Sequence, residues 1–273
     1  MLFRSHDSLP AEELIDGRPV RRDGFHGGGF TACQPKGWGY RSGLDALLIA
    51  ASVAPEFSGR LADLGAGSGV AGLAAARRAP GAKVTLVEAQ PIMAALCRHS
   101  LSLAENASMA GRLVVAEIDI GEKRAVREAS GLADASFDLV LTNPPFHPTT
   151  HRRPPDPVRD RALFAAGDMT LERWFAVAAA LVAPKGRLIT VLRADLLGAA
   201  IAALQPHLGG LAILPVHTKA GAPAERILVA GARGSRAPLR LLEGLALQDA
   251  DGGPSKASRQ IADGTAFLAQ LSA

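Results

Sequence analysis

The chain has 273 residues, 48% of them apolar and 21% charged, with 30 Lys and Arg against 26 Asp and Glu for a net charge of +4. That balance excludes a disordered chain, which would be poorer in apolar residues and less evenly charged, and at this size roughly 75% of the extended chain's surface can be buried, enough for one large domain with a small extension. The longest near-apolar stretch, Ala46 to Pro55, falls short of the ~20 residues a bilayer span needs, and the first ten residues lack a secretory apolar core, so a cytoplasmic protein without membrane contact is expected.

Two cysteines, Cys33 and Cys97, with no CxxC, exclude a disulfide framework or a structural zinc site as the organising principle. Both read as small buried hydrophobes.

Residues 1–40 are rich in Gly and Arg with weak periodicity, which reads as an irregular N-terminal extension or lid. From residue 60 short apolar runs alternate with helical stretches. Arg60 to Leu64 reads as a buried strand; a glycine turn follows, then the helical VAGLAAARR, stopped by Pro80-Gly81. Lys83 to Val87 is a second strand, and Pro91, favourable at a first helical position, opens a helix through about Asn106. Leu113 to Ala116 and Phe137 to Leu141 are the third and fourth strands. Thr170 suits the N-cap of a helix from Leu171 to Val182. Gly186 to Leu192 is a fifth strand, a helix runs from about Asp195 to Leu204, and Leu211 to Val216 and Ile227 to Ala230 close the series.

Near-continuous apolar strands alternating with helices imply a mostly parallel sheet covered on both faces. The last two strands are joined by a loop too short for a parallel crossover, so they form an antiparallel pair at one edge. The expected fold is a Rossmann-like α/β sandwich: a seven-stranded, mostly parallel sheet with one antiparallel edge strand and helices on both faces. The extension covers residues 1–40, the main domain 41–240, and a C-terminal tail, 241–273, packs on the same domain.

In such a sheet, ligands sit outside the carboxyl ends of the strands, where strand order reverses. The turn after the first strand is Asp63-Leu64-Gly65-Ala66-Gly67-Ser68-Gly69. Its glycines let the backbone turn tightly and approach a ligand closely. The spacing is GxGxG rather than the nicotinamide GxGxxG, and Asp63 would serve an ammonium or sulfonium group better than a pyrophosphate. Glu88 ends the second strand, where an acid commonly accepts both hydrogen bonds of a ribose diol. Asp119 follows the third strand and could accept an adenine's exocyclic amine, with Glu117 as a neighbouring candidate. Three acids at consecutive strand ends describe a pocket for a nucleoside with a cationic tail, and S-adenosylmethionine fits.

The fourth strand runs into Asn143-Pro144-Pro145-Phe146. The prolines fix φ and remove two donors, leaving a rigid loop with outward carbonyls. An exocyclic amine is a poor nucleophile because its lone pair is delocalised into the ring. Accepting its two N–H bonds, on the Asn143 side-chain oxygen and the Pro144 carbonyl, would localise that pair and aim it at a methyl donor. Phe146 would stack on a base that has been flipped out.

LADLGAGSG, VEAQ, EIDI and NPPF resemble the motifs of amino-methylating class I methyltransferases that carry the methyltransferase small domain. GYRSGLDALL, residues 39–48, and the late PVHTKAGAPAERILVAGARG resemble the bacterial tRNA(Val) adenine-N6 methyltransferase family, over roughly residues 25 to 240. The resemblance implies cofactor contacts at Asp63, Gly65, Gly67, Gly69, Glu88, Asp119 and Asn143, with Tyr40 to Asp45 closing over the methionine end. It implies catalytic amine binding at Asn143, Pro144, Pro145 and Phe146. The implied acceptor is the N6 amine of an adenine in RNA, with tRNA the expected class. NPPF also serves guanine N2 and a protein glutamine amide, and His147 resembles the NPPFH of guanine-N2 ribosomal RNA enzymes. A non-catalytic cofactor- and RNA-binding module is a second alternative, opposed by the intact NPPF, and a nicotinamide dehydrogenase is disfavoured by GxGxG.

His147 and His151 in HPTTH have the spacing of a helical metal pair, but Pro148 argues for a loop and no carboxylate completes the set, so no metal is expected. The same loop carries Arg152, Arg153, Arg159 and Arg161, placed either to hold phosphates beside a flipped base or to form a solvated loop. Arg18, Arg21 and Arg22, and later Arg226, Arg233, Arg236 and Arg240, make a nucleic-acid footprint if they converge and ordinary solubilising charge if they do not. Trp174 and Phe175 read as core. Trp38 either lines the substrate cleft or anchors the extension.

Overall fold

The computed structural model describes residues 13–146, 153–164 and 167–271. His147, His151 and Arg152 lie outside the described residues, so their expected roles find no geometry here.

The chain opens with β1 (Leu14–Ile15), β2 (Arg18–Phe25) and β3 (Phe30–Pro35), followed by helix α1 (Leu44–Ala50). The parallel units follow: β4 (Arg60–Leu64), α2 (Val70–Arg78), β5 (Lys83–Glu88), α3 (Pro91–Ser102), the short α4 (Ala107–Ala110) and β6 (Leu113–Glu117). Next come α5 (Arg124–Ala129), β7 (Phe137–Thr142), α6 (Pro157–Leu163), α7 (Leu171–Leu181), β8 (Val182–Arg193) and α8 (Leu197–Leu204). The last elements are β9 (Gly209–Lys219), β10 (Ala224–Ala232), β11 (Arg240–Leu241), β12 (Leu245–Gln248) and α9 (Lys256–Ala262).

The central sheet runs β11-β9-β10-β8-β7-β4-β5-β6, with β12 also paired to β9. All seven expected strands are in it, and nine strands are present rather than seven because β11 and β12 extend it from the segment expected to be a tail. The antiparallel pair sits towards the expected edge, but its reversed member, β10, is inserted between β8 and β9 and runs antiparallel to both. The chain steps outward from β4 through β5 to β6, then returns to lay β7 on the other side of β4. That reversal opens a crevice at the carboxyl ends of β4 and β7.

Side-chain alternation along the strands feeds two cores. Leu61, Leu139, Ile189 and Leu228 face α1 and α2, whereas Ala62, Leu64, Val140, Leu188 and Val229 face α7 and α8. Each such fully buried large side chain contributes about 1.5–3 kcal/mol.

The irregular extension expected for residues 1–40 is instead, from residue 14, a three-stranded antiparallel sheet. The turn between β2 and β3 holds His26, Gly27 and Gly28 at φ of 51°, 60° and 88°, left-handed conformations that glycine supplies cheaply. The sheet is fastened to the body: the Cys33 amide donates to Ser100 Oγ (2.8 Å), and the Asn106 side chain spans the Thr31 amide and carbonyl (3.1 and 2.6 Å). Trp38 anchors this layer; its indole N–H donates to the Pro19 carbonyl at 2.6 Å and Arg18 lies 5.0 Å above its ring. Both cysteines are buried and free. Among the described residues, no helix is long and apolar enough to cross a membrane.

Candidate active site

A cleft of about 340 Å³ lies at the carboxyl ends of β4 to β8. Its floor is the glycine turn after β4, where Gly65, Gly67 and Gly69 all take left-handed φ (72°, 59° and 82°). The Gly65 and Ala66 amides both donate to the Val87 carbonyl at 2.9 Å, tying the turn to the end of β5.

Asp63 is 3% exposed, and its Oδ2 accepts the Gly72 amide at 2.8 Å in the first turn of α2. Burial pushes its carboxyl up to about 7; nearby Glu88 adds to the rise, and the Gly72 bond opposes it. Glu88 uses one oxygen on each of two backbone donors, Gly67 and Gln90, both at 2.8 Å. Burial raises its carboxyl as well, against the pull of those amides. A carboxylate has about four acceptor positions; with the Ala89 amide also drawing on it, Glu88 retains at least one for a ligand. Asp119 lines the cleft with its Oδ1 on the Gly121 amide (2.8 Å). Glu117, the neighbouring candidate, is paired with Arg98 at 2.8 Å.

The Asn143–Phe146 loop forms the wall after β7. Asn143 is exposed to the cleft, and Phe146 meets Trp174 edge to face at 6.1 Å and 87°. Trp174 is core, as its Ala-rich helix implied, and it also lines the cleft. Its indole N–H donates to Thr142 Oγ1 (3.1 Å), which donates to the Leu64 carbonyl (2.9 Å). A Cβ on Gly65 would lie 3.4 Å from the Trp174 ring, so that turn packs directly on it. The Pro144 carbonyl accepts the Phe146 amide at 2.9 Å, which leaves one lone pair for an incoming amine.

Tyr40 and Asp45 line the same cleft. Gln34, buried at the end of β3, joins their segment to the glycine turn: its Oε1 accepts the Ser42 amide (2.8 Å) and the Ser68 hydroxyl (3.2 Å). Burial raises the Tyr40 hydroxyl, and Asp45 adds to the rise. Gly69 does not line the cleft. It starts α2, where a Cβ would lie 3.1 Å from Cys97 Sγ, so it acts in packing.

The arginine loop divides. Arg159 and Arg161 on α6 line the cleft, and Arg161 pairs with Asp119 at 2.9 Å. Arg153 is spent locally in a two-pronged bond to Asp160 (both 2.8 Å), over the Phe164 ring. The wider basic clusters do not converge on the cleft. Arg21 and Arg22 pair with Asp23 and Glu13, Arg233 donates to the Ala180 and Val182 carbonyls, and of these groups Arg226 alone among the described residues reaches it. Arg193 and Leu196 line the cleft without any local sequence signal. Away from the cleft, Glu13, Cys33 and His99 converge. Arg22 donates to both Glu13 oxygens at 2.9 Å, filling with a guanidinium the place a cation would take.

A family model described as the methyltransferase small domain matches residues 43–216. The chain belongs to that family. A curated relative from Porphyromonas gingivalis, a tRNA1(Val) (adenine(37)-N6)-methyltransferase, is 30% identical over 164 residues, covering 58% of this chain and 61% of the relative. The chain therefore spans about 61% of the length of the curated relatives of that name that it matches first. A crystal structure from Agrobacterium tumefaciens, described as a predicted O-methyltransferase, is 32% identical with a TM-score of 0.70, covering 82% of this chain and 98% of its own. A T. thermophilus 16S rRNA N2 methyltransferase in complex with AdoMet and guanosine shares the fold at 22% identity and TM-score 0.54, covering 82% of this chain and 52% of its own. The methyltransferase small domain thus spans the parallel half of the sheet, the glycine turn and the NPPF loop, and it ends within β9.

Proposed function

We propose that the protein methylates the exocyclic N6 amine of an adenine in RNA, with tRNA as the class and the cytoplasm as its place of action, using S-adenosylmethionine as donor. One observation carries this reading: the Asn143–Phe146 loop opens onto the same cleft as Asp63, Glu88 and Asp119. The relative from P. gingivalis supports the acceptor.

The residues present fit the donor. A cleft of about 340 Å³ is within the range of nucleotide-sized ligand sites. Glu88 retains acceptor capacity for a ribose hydroxyl, and left-handed Gly65 and Gly67 present bare backbone towards the space between. Buried Asp63 gains a favourable charge partner when an ammonium group is placed nearby. S-adenosylmethionine supplies an electrophilic methyl on a sulfonium. The chain's own residues hold and orient the acceptor. Asn143 Oδ1 and the Pro144 carbonyl offer two acceptors at one loop, matching the two N–H bonds of an amine; a hydroxyl has only one. That count favours N- over O-methylation, whatever the description of the A. tumefaciens structure. Trp174 fixes the orientation of Phe146, whose ring is available to a flipped base, a contact worth roughly 1–3 kcal/mol. Orientation and electrostatics do the work, and water can take the proton that the methylated amine releases.

The test uses purified protein, donor carrying a labelled methyl, and unmodified RNA separated into tRNA and ribosomal fractions, with labelled nucleosides identified by mass spectrometry. N6-methyladenosine in tRNA, lost by about a hundredfold or more in Asn143→Ala, is the expected result. N2-methylguanosine in the ribosomal fraction would move the acceptor, 2′-O-methylated nucleoside would overturn the amine reading, and label only in protein would replace RNA with a glutamine amide.

A further inference from the structure

The antiparallel register of β10 on β8 sets Arg226 directly opposite Arg193. Residues opposed in this way project from the same face, and like charges there repel. Both line the cleft, at the sheet edge where the parallel strands end, and both keep about a third of the side chain exposed (32% and 34%). Each is steadied by its own acid. Arg193 forks onto Asp195 (3.1 and 3.0 Å), and Arg226 Nε donates to Asp45 Oδ2 (3.1 Å). Two arginines at opposed positions of one sheet face, both lining the cleft and each with donors beyond those its carboxylate uses, match the several acceptor oxygens of a phosphate. Arg226, with Tyr40 and Asp45, also lines a second hollow of about 510 Å³.

We propose that Arg193 and Arg226 together clamp a backbone phosphate of the RNA strand next to the nucleotide whose base enters the cleft. The proposal rests on the RNA reading above. Neither arginine acts on the reacting atoms; the clamp sets the strand's register so that the base meets Asn143 and Phe146.

The experiment measures affinity of the full chain for an unmodified tRNA transcript pool from about 50 to 300 mM salt, and separately for S-adenosylhomocysteine, in wild type, Arg193→Ala, Arg226→Ala and Asp195→Asn. Each lost phosphate contact should flatten the log–log salt slope by about 0.7–0.9. It should also weaken tRNA binding about tenfold; Arg193→Ala should leave S-adenosylhomocysteine binding unchanged, whereas Arg226→Ala, which releases Asp45, should weaken tRNA binding by a clearly larger factor than S-adenosylhomocysteine binding. Asp195→Asn removes the competing charge and should not weaken tRNA binding, in contrast to Arg193→Ala. Salt-dependent wild-type binding with unchanged slopes in the arginine variants would overturn the clamp and spare the RNA reading. So would a loss confined to S-adenosylhomocysteine, which would assign Arg226 to the cofactor's carboxylate. Asp195→Asn loosening tRNA as much as Arg193→Ala would mark the pair as structural only. A wild type that neither binds RNA with a salt slope nor methylates it would remove the RNA reading, and the clamp with it.

Discussion

Glu88→Gln separates the two tasks of that side chain. In the native arrangement each carboxylate oxygen accepts one backbone N–H at 2.8 Å, from Gly67 and from Gln90. Glutamine offers a single acceptor atom, so its NH2 group must face one of those donors at a site only 6% exposed. One hydrogen bond to a charged group is lost, about 1.5–3 kcal/mol. In the apo protein that loss is partly offset, because burial already penalises the charged carboxyl and neutralisation removes the penalty. That loss and its offset are present with and without ligand and so cancel in affinity; what the ligand adds is the loss of a ribose bond to a charged acceptor, again about 1.5–3 kcal/mol. Titration calorimetry with S-adenosylhomocysteine near pH 8 should therefore show affinity falling about 10- to 150-fold, while urea unfolding of the apo variant shifts by about 1 kcal/mol or less. Binding within about threefold of wild type would refute the assignment of Glu88 to the ribose, since one lost hydrogen bond is worth more than that.

Asp63 gives a pH signature. Its carboxyl sits near 7 when folded against an ordinary 3.8, so the folded state keeps a proton that the unfolded state has released. That contribution to stability is full below about pH 4, falls as pH rises to about 7 and is constant beyond; Asp63→Asn should make the decline shallower, leaving the part due to Glu88, which burial also raises, and parallel urea-derived stability profiles would contradict it. Gly72→Ala would run a Cβ into Leu86 Cδ2 and set it 3.1 Å from Asp63 Oδ2; it should lower the urea midpoint by an overpacking cost of about 1–3 kcal/mol despite alanine's better helix propensity. Trp174→Phe removes the 3.1 Å bond to Thr142, and a thermal melt should fall by about 2–4 °C; an unchanged melt would mean that the bond contributes nothing net.

The parallel strands, the glycine turn and the NPPF loop were legible because each is a local pattern: an apolar run, left-handed turn chemistry, a rigid dipeptide after a strand. Helix α6 also has a local signal in the sequence, Asp156 at the N-cap, whose Oδ1 accepts the Arg159 amide at 2.7 Å, with Pro157 at the first position. The sheet at residues 14–35 was not legible, because β2 presents Val20 inward and Arg21 and Arg22 outward in a run with no clean alternation, and its burial comes from α3. The Arg193–Arg226 juxtaposition had no local trace. It follows from strand register, fixed where β10 inserts between β8 and β9, and no window of sequence contains both residues. Trp174 was legible as core; its hold on Phe146 depends on the crossing of α7 and the loop after β7.

The N-terminal sheet bears on the order in which the chain assembles. β2 and β3 are neighbours along the chain and can pair at once, but the side chains that fasten β3, Ser100 and Asn106, lie 67 and 75 residues further on. During synthesis at about 5–20 residues per second, that hairpin waits several seconds with its apolar side uncovered before α3 arrives. Gln34 at its end also positions the Ser42 amide and the Ser68 hydroxyl. The link that Gln34 makes between Ser42, which lines the cleft, and the glycine turn thus depends on a sheet that is made early and docked late.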